Sequence, residues 1–259
     1  MASRLPVIRQ APDNWLQWWA HLGGGRADVA AVWPQARCTV VEPTPALAEC
    51  SREALRGPWW TLGRALAPVL LPDELADGQA AMLWANMVLH SSAQPAELLA
   101  RWHSLLAVDG FLMFSTLGPD SLRELRVLYS EQGWPAPHPP YVDMHDIGDQ
   151  LVHAGFADPV MDQETLHLTW SSPDALLAEL RGLGGHLGLT RFAGLRTPRW
   201  RARLVDALAR RADAQGRIAM SFEIIYGHAY KAAPRPPRGE TSVVSLDSLR
   251  KSLSTRNRG

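Results

Sequence analysis

Short, strongly apolar segments alternate along this chain with segments that carry helix signals, and this alternation limits the folds that it can adopt. The run FLMFST (111–116) and the run AAMLWA (80–85) have the composition of buried strands. Between them, Pro95 opens a pattern that places leucines and Trp102 on one helical face. Strands this apolar need cover on both faces, so the pattern predicts an α/β fold with a doubly wound, mostly parallel sheet.

Capping residues and turns predict where the other elements begin and end. Ser121 and Glu124 have the spacing of a capping box, which predicts a helix start between them. Gly110 is predicted to end the helix that Pro95 begins. Further strands are predicted at 15–22, 38–42, 68–72, 165–170 and 222–231. Further helices are predicted to begin near Ala27, Pro45, Asp143, Pro173 and Pro198, and the last four have Thr44, Asp143, Ser172 and Thr197 as their predicted caps.

Composition argues against several classes of protein. The 259 residues include 26 Lys and Arg and 26 Asp and Glu, so the formal net charge is zero, whereas nucleic-acid-binding proteins usually have a basic excess. The first fifteen residues lack the apolar stretch of a signal peptide, and no apolar run reaches membrane-spanning length. Two cysteines, Cys38 and Cys50, indicate no disulfide framework. We therefore expect a cytoplasmic protein without nucleic-acid or membrane partners.

The triple glycine Gly23–Gly25 is the first candidate cofactor feature. A glycine-rich turn after the first strand lets the backbone bend tightly and approach a ligand. Glu42 ends the next predicted strand, nineteen positions after Gly23, and an acid at about this interval accepts hydrogen bonds from ribose hydroxyls. The alternative is that the glycines form an ordinary loop and that Glu42 caps the helix at Thr44.

Four further segments follow one another in a characteristic order. They are WANMVLHSSAQPAELLARWHSLLAVDGFLMFSTLGPDSLRELR (84–126), VDMHDIGDQLVHAGFADPVMD (142–162), AELRGLGG (178–185) and FEIIYGHAY (222–230). With these motifs in this order, the sequence resembles the class I S-adenosylmethionine-dependent methyltransferases, and among them the malonyl-[acyl-carrier protein] O-methyltransferases of biotin synthesis. The resemblance covers about residues 20–231.

The resemblance implies a Rossmann-like, seven-stranded sheet whose last strand is antiparallel, and S-adenosylmethionine as cosubstrate. The methyltransferase domain would span 15–231, with a helical substrate lid at about 139–216 and an N-terminal extension at 1–14. The polar, proline-rich segment 232–259 is predicted to be a disordered tail. The residues implied to contact the cosubstrate are Gly23, Gly25, Glu42, Asp73 near the adenine, and Trp84, Ala85 and Asn86 after strand four.

The first motif departs from the family pattern. The family has Asp-Leu-Gly-Cys-Gly, whereas this chain has His21-Leu22-Gly23-Gly24-Gly25, so the acid that faces the methionine ammonium is absent. The family's helix before strand one is also missing, because only fourteen residues precede Trp15. Losing one charge-assisted contact weakens affinity by about ten- to a hundredfold. The alternative is a decayed methyltransferase-fold protein that acts as a binding or assembly factor.

The implied reaction, methylation of a malonyl carboxylate, needs a side chain that binds this carboxylate, and arginine suits that role. A carboxylate is already a nucleophile, so positioning matters more than a general base. Arg126 and Arg181 are candidates for holding the substrate carboxylate, and His90 is a candidate for lining the pocket; the alternatives are solvent-facing arginines and a structural histidine. Acyl carrier proteins are acidic, so an enzyme that acts on one needs a basic docking face. Five arginines that could form this face are Arg191, Arg196, Arg199, Arg201 and Arg203. The alternative is that they form a solvated helix face.

The acidic and histidine residues from Asp143 to His153 are interpreted as a helix start. Asp is favoured there by capping and by the helix dipole, so the cluster does not indicate a metal site. We predict no metal ligands and assign no catalytic side chain.

Overall fold

The fold is that of a computed structural model, which describes residues 1–8, 10–56, 66–183 and 192–233. Within these ranges seven strands form one sheet. They are β1 (Asn14–Trp18), β2 (Arg37–Val41), β3 (Val69–Leu70), β4 (Ala80–Ala85), β5 (Leu106–Leu117), β6 (Ala157–Trp170) and β7 (Ile218–Tyr230). Their order is β3-β2-β1-β4-β5-β7-β6, and among these seven strands β7 alone runs in the direction opposite to the others. The predicted α/β class, with its mostly parallel sheet and antiparallel last strand, is confirmed.

Helices connect most of the strands, and four of them begin at the caps that the sequence predicts. The side chains of Thr44, Asp143, Ser172 and Thr197 each accept a hydrogen bond from a backbone N–H in the first turn. The helices are α1 (Ala20–Gly23), α2 (Arg26–Val32), α3 (Pro45–Ala54), α4 (Pro95–Leu105), α5 (Arg123–Glu131), α6 (Met144–His153), α7 (Pro173–Gly182) and α8 (Pro198–Ala209).

Both faces of the sheet are covered, as the apolar strands require. Successive side chains of a strand point to opposite faces, so Leu83 and Trp84 of β4 belong to different cores. Leu83 packs in the cluster that includes Trp102 of α4 and Leu151 of α6. Trp84 packs in the cluster that includes Val29 of α2. The carboxyl ends of β1 to β5 therefore meet at one edge between two helical layers.

The N-terminal segment is part of the packed fold. Residues Ala2–Val7 form a 3-10 helix, and its Leu5 is fully buried in the same cluster as Trp84. Arg4 pairs with Asp162 of β6, and its guanidinium carbon lies 3.9 Å from the centre of the Tyr226 ring of β7. The segment predicted as an extension thus covers the sheet on the α2 side, where burial of Leu5 stabilises it.

Two predicted boundaries were wrong, because backbone pairing overrides local signals. The first strand ends at Trp18 and not at residue 22: Trp19 is left-handed (φ 52°), and the chain then makes the single turn α1. Helix α4 ends at Leu105 and not at Gly110. Gly110 lies inside β5, and its carbonyl accepts a hydrogen bond from the backbone N–H of Lys231 at 2.8 Å.

The predicted capping box was also wrong. Helix α5 begins after a left-handed Leu122 (φ 55°), without a side-chain cap. The carboxylate of Glu124 accepts hydrogen bonds from the backbone N–H and the hydroxyl of Ser221 in β7, at 2.9 and 2.5 Å. The Ser121 hydroxyl bonds to the backbone of Glu223 in the same strand. Both predicted capping side chains therefore join α5 to the sheet.

Much of the segment predicted as a lid (139–216) belongs to the main fold. Helix α6 packs on the sheet, and β6 pairs with β7 from Ala157 to Trp170. Helices α7 and α8 share a cluster with α5 and β7. The assignment of residues 139–216 as a substrate lid stays a prediction. Arg191 and residues 234–259, which include most of the predicted tail, lie outside the described residues.

Candidate active site

Side chains of β1 and β4 hold the glycine turn at the carboxyl edge of the sheet. The carbonyl of Gly24 accepts hydrogen bonds from Gln17 Nε2 at 3.0 Å and from Trp84 Nε1 at 3.1 Å. The carbonyl of Gly23 accepts one from Asn86 Nδ2. Gln17 is a polar residue inside β1, and this contact explains its burial.

Two of the three glycines are required by close packing. A Cβ on Gly23 would lie 2.4 Å from the carbonyl oxygen of Asn86, and a Cβ on Gly25 (φ 97°) would lie 2.6 Å from the indole nitrogen of Trp84. Gly24 (φ 61°) would meet no atom within 4 Å. The backbone is therefore open at Gly24, while Trp84, only 1% exposed, supports the turn from beneath.

The carboxylate of Glu42 lies directly beside this turn. Its Oε1 accepts hydrogen bonds from the backbone N–H of His21 at 2.8 Å and from the hydroxyl of Ser51 in α3 at 2.5 Å. Its Oε2 is buried and has no hydrogen-bond partner among the described residues. The cap of α3 is the Thr44 hydroxyl, which accepts from Leu47 N. Glu42 therefore does not cap α3, and its carboxylate contacts the backbone of α1 next to the glycine turn.

These groups fit one end of a nucleoside cosubstrate. The unpaired oxygen of Glu42 is an acceptor suited to a ribose hydroxyl, and the open backbone at Gly24 allows close approach. Glu42 has no exposed surface in this structure. At the methionine end, His21 is exposed and supplies no carboxylate.

The ends of β4 and β5 are fixed to each other beside the turn. Asn86 Oδ1 accepts a hydrogen bond from the Ser115 hydroxyl at 2.7 Å. Met87 has a left-handed backbone (φ 56°), and its N–H lies 3.0 Å from both the hydroxyl and the carbonyl of Ser115. Ser115 therefore holds Asn86 and Met87 in place, a role that the sequence did not indicate. Asp73 lies apart from these contacts, exposed in the 3-10 turn that follows β3, and its role near an adenine stays a prediction.

A cavity of about 250 Å³ opens at the carboxyl ends of β4 and β5. His90 is in its wall, with Nδ1 3.4 Å from the Thr116 hydroxyl and its ring edge-on to Tyr141 at 5.9 Å. Tyr141 in turn stacks on His138 at 4.8 Å. The lining residues are Leu89, His90, Ser92, Ala93, Pro95, Thr116, Leu117, Pro139, Pro140, Tyr141, Val142, Ile147 and Gln150.

Burial of His90 makes stability depend on pH. Burial lowers the pKa of His90 to about 4, below its ordinary value near 6.5. Between these values the unfolded chain takes up a proton that the folded protein does not, so stability falls as pH falls from about 6.5 to about 4, by up to about 1.4 kcal/mol per pH unit. Urea unfolding of His90→Asn should show a smaller loss over this window than wild type, whereas the exposed control His153→Asn should match wild type. An unchanged slope in His90→Asn would contradict the burial argument.

The two candidate substrate arginines are placed differently. Arg126 lies on α5, close enough to Tyr141 that its charge partly offsets the rise that burial causes in the Tyr141 pKa. Its guanidinium is 3.9 Å from Asp120, a loose ion pair. Arg181 is exposed near the end of α7. Neither arginine lines the cavity, and Arg126 is the one that lies near its wall.

The arginines around the start of α8 stack on aromatic rings. The guanidinium carbon of Arg196 lies 3.9 Å from the ring centre of Phe192 and 4.3 Å from that of Trp200. Arg203 lies 5.5 Å from the ring centre of Trp134. Arg199 is exposed on the same helix. Arg201 pairs with Asp174 of α7 at 2.5 Å. The planar guanidinium groups are therefore held against a hydrophobic surface.

The described part of the chain contains neither a metal-binding cluster nor a membrane-spanning helix. No group of three His, Cys, Asp or Glu side chains there is arranged to hold a metal ion. Asp143 and His145 instead form a helix cap, with the backbone N–H of His145 donating to Asp143 Oδ1 at 2.8 Å. No helix in these ranges is long and apolar enough to cross a membrane.

Comparisons with known proteins place the chain in a family, although no family model matches it. The malonyl-[acyl-carrier protein] O-methyltransferase of Laribacter hongkongensis is 37% identical over 246 residues, covering 92% of this chain and 82% of that protein. The protein of the same name from Gallionella capsiferriformans is 33% identical over 252 residues, covering 94% and 86%. A Bacillus halodurans C-125 protein assigned as a methyltransferase shares the fold, with a TM-score of 0.61 at 13% identity over 90% of this chain and 98% of that one. The chain belongs to the malonyl-[acyl-carrier protein] O-methyltransferase family.

Proposed function

We propose that this protein is an S-adenosylmethionine-dependent methyltransferase that methylates the free carboxylate of a malonyl group on acyl carrier protein, as a cytoplasmic step of biotin synthesis. The observation that carries the proposal is the 37% identity, along 92% of the chain, to a relative of that name. The contact between the glycine turn and Glu42 supports it. Nothing in the comparisons favours the alternative of a decayed binding or assembly factor.

The reaction needs no general acid or base. When bound, S-adenosylmethionine supplies an electrophilic methyl group on a sulfonium. A carboxylate oxygen of the substrate forms the new O–C bond as the S–C bond breaks, and no proton is transferred. His90, whose pKa is lowered to about 4 by burial, is neutral at pH 7 and is not needed as a base. The task of the chain is to align the two partners and to exclude water.

The residues at the carboxyl edge suit that task. Gly23, Gly25 and Glu42 would hold the nucleoside, with Asp73 near the adenine. Asn86, supported by Ser115, would lie near the methyl group, and Trp84 would support the glycine turn. Arg126 would hold the substrate carboxylate through the two parallel N–H donors of its guanidinium. Since Glu42 is buried against α1, we infer that cosubstrate binding includes a movement of that single turn.

The arginine face of α8 suits an acidic carrier protein. Arg196 and Arg203 are stacked on Phe192, Trp200 and Trp134, so little side-chain freedom remains to be lost on binding. Arg199 adds a third positive charge on this surface. Opposite charges speed the encounter of two proteins, most strongly at low salt. We therefore assign acyl carrier protein to the surface formed by Arg196, Arg199 and Arg203.

The proposed activity is tested with methyl-labelled S-adenosylmethionine and two carrier proteins. Malonyl carrier protein is expected to acquire label as an alkali-labile ester. Acetyl carrier protein, which has no free carboxylate, is expected to remain unlabelled. Absence of label on the malonyl form, together with no calorimetric binding at millimolar S-adenosylmethionine, would refute the proposal.

The docking surface is tested by charge reversal. In Arg199→Glu/Arg203→Glu we expect kcat/KM for malonyl carrier protein to fall about tenfold at low salt and less at high salt, because repulsion replaces steering. The matched control is Arg37→Glu, at the amino end of β2 and thus at the opposite edge of the sheet. Equal rates for the double variant and the control would argue against this surface.

A further inference from the structure

The cavity at the ends of β4 and β5 is uncharged. None of its thirteen lining residues is Arg, Lys, Asp or Glu, and its polar groups are the side chains of His90, Ser92, Thr116, Tyr141 and Gln150. His90 is itself neutral at pH 7, because burial lowers its pKa to about 4. Leucine, proline, valine and isoleucine side chains make up most of the remaining wall.

Such a wall disfavours a carboxylate and accepts a neutral carbonyl. An ionised group without a charged partner is costly to remove from water, whereas a carbonyl needs only one hydrogen-bond donor. The hydroxyls of Thr116 and Tyr141 are donors of that kind. The volume of about 250 Å³ is below the range of about 300–1,000 Å³ that is typical of pockets for drug-sized ligands, which suits a short acyl thioester better than a long chain.

We propose that this cavity holds the uncharged thioester end of the malonyl substrate, and that the free carboxylate stays outside it, beside Arg126. This inference rests on the proposed function and specifies how its substrate is oriented. Arg126 does not line the cavity but lies near Tyr141, which does, so the positive charge stands outside the neutral space and close to its wall.

The position in the fold agrees with this orientation. The cavity wall includes Leu89 and His90, which follow Asn86 and Met87 by a few residues along the chain. It also includes Thr116, which directly follows Ser115, the residue bonded to Asn86. The loop 139–142 closes the outer side, so the thioester would lie beside the edge that carries the glycine turn.

The test uses an uncharged probe, butyryl-pantetheine, and a variant that fills the cavity mouth. Ala93 lines the cavity and is exposed, so Ala93→Trp adds bulk there without a change in the core. We expect butyryl-pantetheine to bind wild type in calorimetry and to compete with malonyl carrier protein. In Ala93→Trp its binding should be lost, and KM for malonyl carrier protein should rise about tenfold, while the Kd of S-adenosylmethionine stays unchanged. Ala100→Trp, at an exposed position of α4 outside the cavity, is the control.

The outcomes separate the subsite from the proposed function. A wild-type protein that binds butyryl-pantetheine but never methylates malonyl carrier protein overturns the function. A protein that methylates, but whose Ala93→Trp variant keeps both KM and probe binding, overturns the subsite. Thr116→Val, which removes a hydroxyl at nearly constant shape, is the second variant. If both Thr116→Val and Ala93→Trp bind butyryl-pantetheine with the wild-type affinity, the cavity does not hold the thioester.

Discussion

Replacing Gly25 by alanine is expected to destabilise the protein by about 2–5 kcal/mol. Two costs add: a left-handed backbone with a side chain costs about 1–2 kcal/mol, and overpacking typically costs about 1–3 kcal/mol. Both apply here, because Gly25 has φ 97° and its Cβ would lie 2.6 Å from the buried indole of Trp84. Urea unfolding followed by Trp fluorescence measures the loss as a lower transition midpoint.

Gly78→Ala separates the two costs. Gly78 is also left-handed (φ 69°), but a Cβ there would meet no atom within 4 Å. We therefore expect only the backbone cost of about 1–2 kcal/mol. If both variants lose the same stability, the Trp84 contact has no part in fixing the turn, and the argument that Trp84 supports it fails.

Glu42→Gln is expected to weaken S-adenosylmethionine binding by about ten- to a hundredfold. The substitution keeps one oxygen that can accept from the His21 N–H and the Ser51 hydroxyl. It replaces the unpaired Oε2 by an amide group without charge, so a ribose hydroxyl loses a charge-assisted acceptor worth about 1.5–3 kcal/mol. Calorimetric titration of each protein with S-adenosylmethionine gives the two Kd values.

The control for Glu42→Gln is Glu49→Gln, which removes an exposed carboxylate from the same helix-strand unit. Its Kd should match wild type. Since Glu42 is buried, unfolding of the variant is measured alongside, so that loss of fold is not mistaken for loss of binding. A folded Glu42→Gln with the wild-type Kd would remove Glu42 from the cosubstrate site.

The sheet could be predicted because its strands are marked by composition alone. FLMFST is buried almost entirely within β5, and a fully apolar run has few alternatives to a covered strand. The caps at Thr44, Asp143, Ser172 and Thr197 could be predicted because they depend on neighbours in the chain. Ser121 and Glu124 show the limit of such signals: their spacing fits a cap, but partners from β7 compete for both side chains.

The glycines of the candidate site were predictable because one residue type is obligatory there. Gly23 and Gly25 were found because close backbone approach demands glycine. Ser51 was not found, because a serine inside a helix gives no sign that it will meet Glu42. Tyr141 follows a proline-rich loop without periodicity, so nothing local indicated that it would form the wall of a cavity.

The placement of the N-terminal 3-10 helix bears on the order in which the fold can assemble. Arg4 pairs with Asp162 of the edge strand β6, 158 residues later in the chain, and lies over the Tyr226 ring of β7, which is later still. β7 also inserts between β5 and β6, so these contacts of Arg4 require a strand pairing between distant segments. Such distant pairings are slow to form, so we expect the N-terminal helix to dock late in folding.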